Sequence, residues 1–466
     1  MGSCAQALPR PRSFQRARRH LLSFLVAFGR HTISSLLRAQ DRHHLDWSAD
    51  YRLYSQDRFD EEALFGQVRS EIQQRLGKDQ PLVTAMDDSL LRKTGPKIHG
   101  VRFLRDPLSP PFQVNLVRGL RVLQISAALP QGAGKARMIP IDFQHAVLPA
   151  KPRKDADPQL WKDYQELRAR TNINVLGCQR INSLRQQLDQ SQPQRRLVVG
   201  VDGRFTNRTF LKQLPERTVI LGRIRKDARV YRLPEAQPAV GRKRKYGVPL
   251  PTPEAMLRDP TWPVQTLEAF AAGKKHHFKV KSIGPVVLRL DRAARPVQLL
   301  LIKPLGYRPT LGGRLLYRQP AYLVCTDPQL ALSEFLQEFL WRWDIEVNFR
   351  DEKSLLGVGQ AQVRTEAANQ NAPALGVAAY ALLLLASVKT YGKNGVPDRL
   401  EQAKWYRRKK KDRATTGELI NQLRREMWAA ALNSTDSSHF TPQSSPEQKC
   451  EKLAVPAHSA VFLSSN

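Results

Sequence analysis

The stretch "WRWDIEVNFRDEKSLLG", residues 341–357, mixes charged and aromatic residues so densely that its reading decides the fold. Read as one helix, at about 100° per residue, steps of four and seven return a side chain to nearly the same azimuth. Counting from Glu346, Arg342 lies four back, Arg350 four on, Lys353 seven on and Phe339 seven back. Two readings of that stripe are open. One is a solvated face laced with i,i+4 ion pairs, each contributing about 0.2–0.5 kcal/mol. The other is a functional edge that presents an acid among cations to an anionic partner.

The rest of the chain favours the second reading. Its 466 residues suffice for two or three domains, and 75 Lys and Arg against 42 Asp and Glu leave a net charge of +33. Self-repulsion on that scale is tolerated when the partner is a polyanion, with nucleic acid as the default and a membrane surface as the competitor. The membrane alternative is weak. "LLSFLVAF" (21–28) runs straight into "GRH" with no small-residue cleavage site. "APALGVAAYALLLLASV" (372–388) contains Pro373, Gly376 and Tyr380 and falls short of the roughly 20 residues a span needs, so it reads as a buried helix. Cys4, Cys178, Cys325 and Cys450 lie far apart without paired ligand spacing, which indicates neither a disulfide framework nor a zinc site. The chain reads as intracellular.

Along the chain, residues 1–75 read as helical. "RRHLLSFLVAFGRHTISSLLRAQ" suits a helix, a break at Gly29, a Thr32 cap and a second helix, compatible with a helix-turn-helix on DNA or with an ordinary helical hairpin. "PLVTAMDDS" (81–89) reads as a short strand ending in two carboxylates, and "FQVNLVRGLRVLQISAAL" (112–129) as a hairpin. Helices are expected near 157–170 and 180–190, a buried strand at "RRLVVGVDG" (195–203), a helix at "FTNRTFLKQL" and a strand at "TVILGRIRK" (218–226). A Pro-, Arg- and Lys-rich stretch follows, then the strands "PVVLRLD", "PVQLLLIK" and "AYLVCTD". This alternation predicts an α/β core over 76–226 and 319–400, interrupted by a basic, strand-rich insertion over 227–318. Residues 401–466 combine the basic run "KWYRRKKKDR" with a polar tail of disordered composition.

Three acidic positions could carry chemistry: Asp87/Asp88 on one strand, Asp202 closing another, and Glu346 in the helix. Singly, each is weak evidence, and Asp202-Gly203 is also a common turn dipeptide. Together, two strand carboxylates beside a helical Glu could hold two Mg²⁺ ions, which prefer oxygen ligands and leave positions open for water and phosphate. Other candidates are poorer. The pairs His43-His44 and His276-His277 do not converge on one ion in a helix or strand. "GAGKAR" lacks the first Gly and the Ser/Thr of a nucleotide loop, so no nucleotide cofactor is expected. Trp262 and Tyr246 suit packing inside the insertion better than stacking on an unpaired base.

The order "MDDSLLRKTG", "VVGVDGRFTN", "FLWRWDIEVNFRDEK" resembles the DDE transposases of bacterial insertion sequences. The closer likeness is to the branch with a Tyr-Arg-Glu-Lys signature and a β-strand insertion before the last acid. Arg342, Glu346 and Lys353 match that signature's spacing, and Phe339 stands at its Tyr. The likeness spans about 80–390. The gaps between acids, 202 − 88 = 114 and 346 − 202 = 144 positions, fit it.

The resemblance implies an RNase H-like mixed sheet flanked by helices, with Asp88, Asp202 and Glu346 as catalytic residues and ligands of two Mg²⁺, for which Mn²⁺ substitutes. It selects Asp88 over Asp87 because the family places a hydroxyl residue directly after its catalytic Asp, and Ser89 follows Asp88. It further implies that Arg342 and Lys353, with Arg350 and Phe339 beside them, meet the DNA end. The implied activity is cleavage of element ends and strand transfer into target DNA. The implied partners are double-stranded terminal repeats and target, with a dimer on paired ends, inside a bacterial cell at its nucleoid. Two alternatives stand beside it: an RNase H-like nuclease without strand transfer, and a decayed, non-catalytic DNA-binding copy.

Overall fold

The computed structural model describes residues 7–8, 10–56, 58, 60–106, 109–110, 112–235, 243–289, 294–310, 312–397 and 413–434, with side chains to 427 in the last segment. The basic run at 404–413, apart from Arg413, and the polar tail lie outside the described residues.

In chain order the first elements are α1 (Pro11–Val26), α2 (Ile33–Ala39), α3 (Ser48–Ser55), α4 (Glu61–Gln73), β1 (Leu82–Arg92), β2 (Arg102–Arg105), β3 (Leu116–Gly132), β4 (Lys135–His145), α5 (Pro158–Arg170), α6 (Ile173–Ser191), β5 (Leu197–Val201), α7 (Arg208–Leu211) and β6 (Thr218–Arg223). They continue with β7 (Val230–Tyr231), β8 (Pro249–Leu250), α8 (Pro253–Arg258), β9 (Gln265–Ala271), β10 (Lys274–Leu288), β11 (Val297–Ile302), β12 (Gly306–Tyr307), β13 (Leu316–Tyr317), β14 (Ala321–Cys325), α9 (Leu332–Trp341), α10 (Asp344–Ser354), α11 (Glu366–Tyr391) and α12 (Thr416–Ser434).

The chain forms two compact units, one of Met1–Val68, Leu91–Gly119 and Phe349–Asn466, the other of Arg69–Leu90 and Leu120–Asn348. In the first, α1, α3 and α12 pack on α11. The Thr32 side chain accepts from Ser35 N–H and starts α2, as expected, after Gly29 turns the chain at φ +72°. His20 hydrogen-bonds Asp50 (2.9 Å) and Tyr54 (2.9 Å), so these polar groups are buried with partners. Thr365 caps α11, which runs past the predicted 372–388 in both directions. By length and composition α11 could cross a membrane, but 89% of its most apolar window is buried inside the structure.

The second unit is built on a mixed sheet with strand order β4-β3-β1-β5-β6-β14-β11-β10-β7-β8 and β9 on β10. β1, β5 and β6 run parallel, while β6, β14, β11 and β10 alternate in direction. The fold is the RNase H-like mixed sheet flanked by helices that the resemblance implied. β5, "LVVGV", is buried at every position and reads as a central strand. The strands read as an insertion continue the same sheet through β14. They share a core of Met256, Leu288, Leu299, Leu301 and Val324, with Trp262 packed against it. Tyr246 lies 5.0 Å from Tyr231, centroid to centroid.

Several local expectations differ. Residues 112–129 form no hairpin, because β3 runs unbroken to Gly132. The turn falls at Gly132-Ala133-Gly134, all at positive φ, within the "GAGKAR" stretch. β1 continues past its carboxylates to Arg92, and "FTNRTFLKQL" supplies just the one turn of α7, capped by Asn207.

Leu299→Ala, on a fully buried β11 side chain, is expected to cost about 2–5 kcal/mol. The measurement is the urea midpoint, which should fall with little change in slope.

Candidate active site

β1 and β5 pair in parallel as Leu82↔Leu197, Val83↔Val198, Thr84↔Val199 and Ala85↔Gly200. The offset is 197 − 82 = 115, and 202 − 87 is also 115, so Asp87 and Asp202 fall at one level two residues beyond the last pair. Paired residues share a face and successive residues alternate. Val83, Ala85 and Asp87 therefore share a face with Val198, Gly200 and Asp202. Asp88 takes the other face with Met86, against which Gly177 of α6 packs so closely that a Cβ would stand 2.9 Å from its methyl.

Gly200 has a counterpart reason to be glycine. A Cβ there would stand 3.2 Å from Cβ of Arg342, so the bare backbone admits the turn between α9 and α10 onto the Asp87 face. Arg342 is buried, with its Nη1 3.2 Å from Asp87 Oδ2 and its Nη2 3.7 Å from Glu346 Oε1. Burial, then the charge of Asp202, pushes the Asp87 carboxyl up to about 7, while Arg342 opposes. Glu346 is raised as well, mainly by burial, with Arg342 opposing and Asp202 adding. The structure thus brings Asp87, Asp202 and Glu346 into one electrostatic group. Asp88 is engaged elsewhere: Arg121 Nε donates to its Oδ2 (2.7 Å), and Arg204 Nη1 donates to both oxygens (2.8 and 3.0 Å).

The opening stretch is two helices rather than one. Tight i→i+3 bonds at Arg342 (to Phe339 O, 3.2 Å), Ile345 (to Arg342 O, 3.1 Å) and Glu346 (to Trp343 O, 3.1 Å) make the joint. Phe339 is half-buried, with the Arg342 guanidinium 5.8 Å from its ring centre. Farther along α10, Arg350 bonds Asp351 Oδ1 through Nε (3.0 Å) and Nη2 (2.9 Å), and Lys353 Nζ stands 5.7 Å from the Phe349 ring centre. Burial holds the Lys353 ammonium below the usual lysine range. Glu338, also raised to about 7, owes this to burial and Glu334, and it faces Arg196 before the start of β5.

Every donor in the trio is a carboxylate oxygen, the hard ligand that suits Mg²⁺ or Mn²⁺, and a divalent cation would relieve their mutual repulsion. The chain matches the family model for the DDE superfamily endonuclease over residues 4–281, more than half its length. The chain belongs to the DDE superfamily endonucleases. Membership brings divalent-metal nuclease chemistry with DNA as substrate. The matched span contains Asp87, Asp88 and Asp202 and ends before Glu346, which geometry alone adds to the group. No curated protein matches the chain.

The His43-His44 pair is exposed, in keeping with surface residues. His43 and His44 lie in a turn, neither helix nor strand, and their ligand atoms lie within 4.8 Å of one another and of Asp41. The cluster is exposed and belongs to the first unit. Sequence reasoning also missed the arginine partners of Asp88. In the paired strands, "LVTAMD" (82–87) and "LVVGVD" (197–202) share Leu, Val and a closing Asp at identical spacing, in step with the observed register.

The Asp87 carboxyl has an ordinary value of 3.8 and a folded value of about 7. The metal-free folded chain therefore holds this proton more tightly than the unfolded chain, and loses stability as pH rises through that window. Asp87→Asn should stabilise the metal-free protein at pH 8 and leave it nearly unchanged at pH 4, as read by chemical denaturation in EDTA. An equal effect at both pH values would contradict the raised carboxyl.

Proposed function

We propose that this chain is a transposase of a bacterial insertion sequence, cutting the DNA at its element's ends and joining the freed 3′-hydroxyls to target DNA. One observation carries the reading: Asp87 and Asp202 stand at one level on one sheet face, and Glu346 of α10 is coupled to them electrostatically, in a chain with net charge +33. Asp87 takes the role expected of Asp88, because its side chain shares a face with Asp202 and Asp88 is held by Arg121 and Arg204. Asp87, Asp202 and Glu346 would hold two Mg²⁺ ions, replaceable by Mn²⁺. When bound, these supply Lewis-acid stabilisation and nucleophile activation for in-line phosphodiester transfer.

The chain's own residues orient the rest. Arg342 fixes Asp87 and Glu346 relative to each other and lies over the Phe339 ring. Lys353 and Arg350, farther along the same helix, meet phosphates of the DNA end, Arg as a fork and Lys as a point charge. Asp88 ties β3 to the turn after β5, holding Arg121 and Arg204 beside the carboxylates. Acting on paired ends requires at least a dimer on DNA, inside the cell.

The test is end cleavage of DNA carrying the candidate terminal repeats, with Mg²⁺, followed by joining of a pre-cut 3′-hydroxyl end to a plasmid. Asp202→Asn, Glu346→Gln and Asp87→Asn should each remove several kcal/mol of stabilisation, roughly a thousandfold in rate, and leave DNA affinity largely intact. Asp88→Asn should lose less than about tenfold. The reverse ranking of the two neighbours would return the ligand role to Asp88. Cutting without joining would leave a nuclease, and binding without cutting a decayed copy. DNA affinity should also fall steeply with salt as phosphates are neutralised, and a flat response in anisotropy titrations would contradict the basic surface.

A further inference from the structure

A pocket of about 850 Å³ opens beside Asp202, lined by Gly203, Asn207, Arg223, Arg225, Arg229 and Arg289 among others. Four of its side chains are guanidinium groups. Its one carboxylate, Asp227, is already bonded by Arg225 at 2.7 and 2.8 Å. Arg223, Arg229 and Arg289 are exposed, and none makes an ion pair with a described residue.

Their placement is dictated by register. β5 and β6 pair as Val201↔Gly222, so Arg223 follows at the level of Asp202, one strand over and on the same face. Asp87, Asp202 and Arg223 thus stand at one level across three adjacent strands. β7 and β10 pair as Leu288↔Val230, and Arg289 N–H donates to Arg229 O at 3.2 Å, so these two arginines oppose each other directly. Like charges at opposed positions destabilise a sheet. The turn holding the pocket's wall is itself fixed, since the Thr206 hydroxyl donates to the carbonyls of Gly203 (3.1 Å) and Arg223. Three uncompensated arginines, two of them pressed together by the ladder, form a rigid site for anions.

We propose that this pocket binds consecutive phosphates of the DNA strand that passes Asp202, holding the backbone on the β6–β7 side of the carboxylates. The proposal rests on the reading above only in taking DNA as the substrate. Phosphodiester oxygens suit paired guanidinium forks, and the spacing from Arg223 to the Arg229–Arg289 pair extends the contact along the strand and away from the acids. A free nucleotide offers the same chemistry, and the experiment separates the two.

The experiment measures binding of a labelled 40-base-pair duplex by anisotropy, in Ca²⁺ without turnover, over a range of salt. The triple variant Arg223→Ala/Arg229→Ala/Arg289→Ala should bind at least tenfold more weakly, with a log Kd against log salt slope lower by about two to three. The Lys triple variant should keep most of the slope, which separates charge from misfolding. Asp227→Asn, which releases Arg225, should steepen it by about one. Millimolar ATP should compete no better than its ionic strength accounts for.

An unchanged slope in the Ala triple variant, or saturable ATP binding that displaces DNA, would overturn the proposal. Plasmid nicking with Mn²⁺ by the wild type is scored separately. Loss of nicking alone counts against the catalytic reading, and the binding slope still decides the pocket.

Discussion

Carboxylates gathered at one end of a sheet face repel one another, and the parallel register of β1 on β5 holds two of them together against that repulsion. The magnitudes show why the sheet prevails. Raising Asp87 from 3.8 to about 7, through burial first and the charge of Asp202 second, corresponds to about 4 kcal/mol. The fully buried side chains of Leu197, Val198, Val199 and Val201 each contribute about 1.5–3 kcal/mol on burial. β5 alone therefore offsets the strain it creates, before β1 and β6 on either side are considered. A site of this kind needs a strand whose every residue is buried, and "LVVGV" is such a strand.

Adjacent acids doing opposite jobs follows from the same pleat. Asp87 and Asp88 cannot face one way, so one joins Asp202 and the other meets Arg121 and Arg204. The pair reads as redundancy along the chain and as division of labour across the sheet. Asp88 pairs with Arg121 and Arg204 and anchors β3 to the turn after β5, so the acids sit in a frame braced from behind.

Much of this was legible because it depends on local pattern. The buried strands, the Thr32 cap, the apolar run of α11 and the acids with their spacing are all written in contiguous residues. What was not legible depends on pairing. Which of Asp87 and Asp88 shares a face with Asp202 is set by a register with a strand more than a hundred residues away, and the hydroxyl residue after Asp88 carries no information about that register. The joint at Arg342–Trp343 is fixed by α9 and α10 meeting the sheet, since neither residue breaks a helix by propensity. The hairpin at Gly132 was masked by β-rich sequence on both sides of Gly119. The sheet's continuity through β14 was hidden because β6 and β14 are separated by the whole basic stretch.

Arg342 shows how far this logic reaches. On a free helix it would be one of several cations on an outward stripe. Gly200 beneath it removes the side chain that would hold it off. Asp87 and Glu346 then take its two terminal nitrogens, while Nε is buried with no partner among the described residues. Moving that guanidinium outward to grip a phosphate would leave the largely buried Asp87 without its counter-charge, a penalty that grows with burial. Of the stripe's cations, the largely exposed Arg350 carries no such constraint. Division of the stripe between an inward Arg342 and an outward Arg350 is therefore imposed by the sheet, and the helical spacing alone does not contain it.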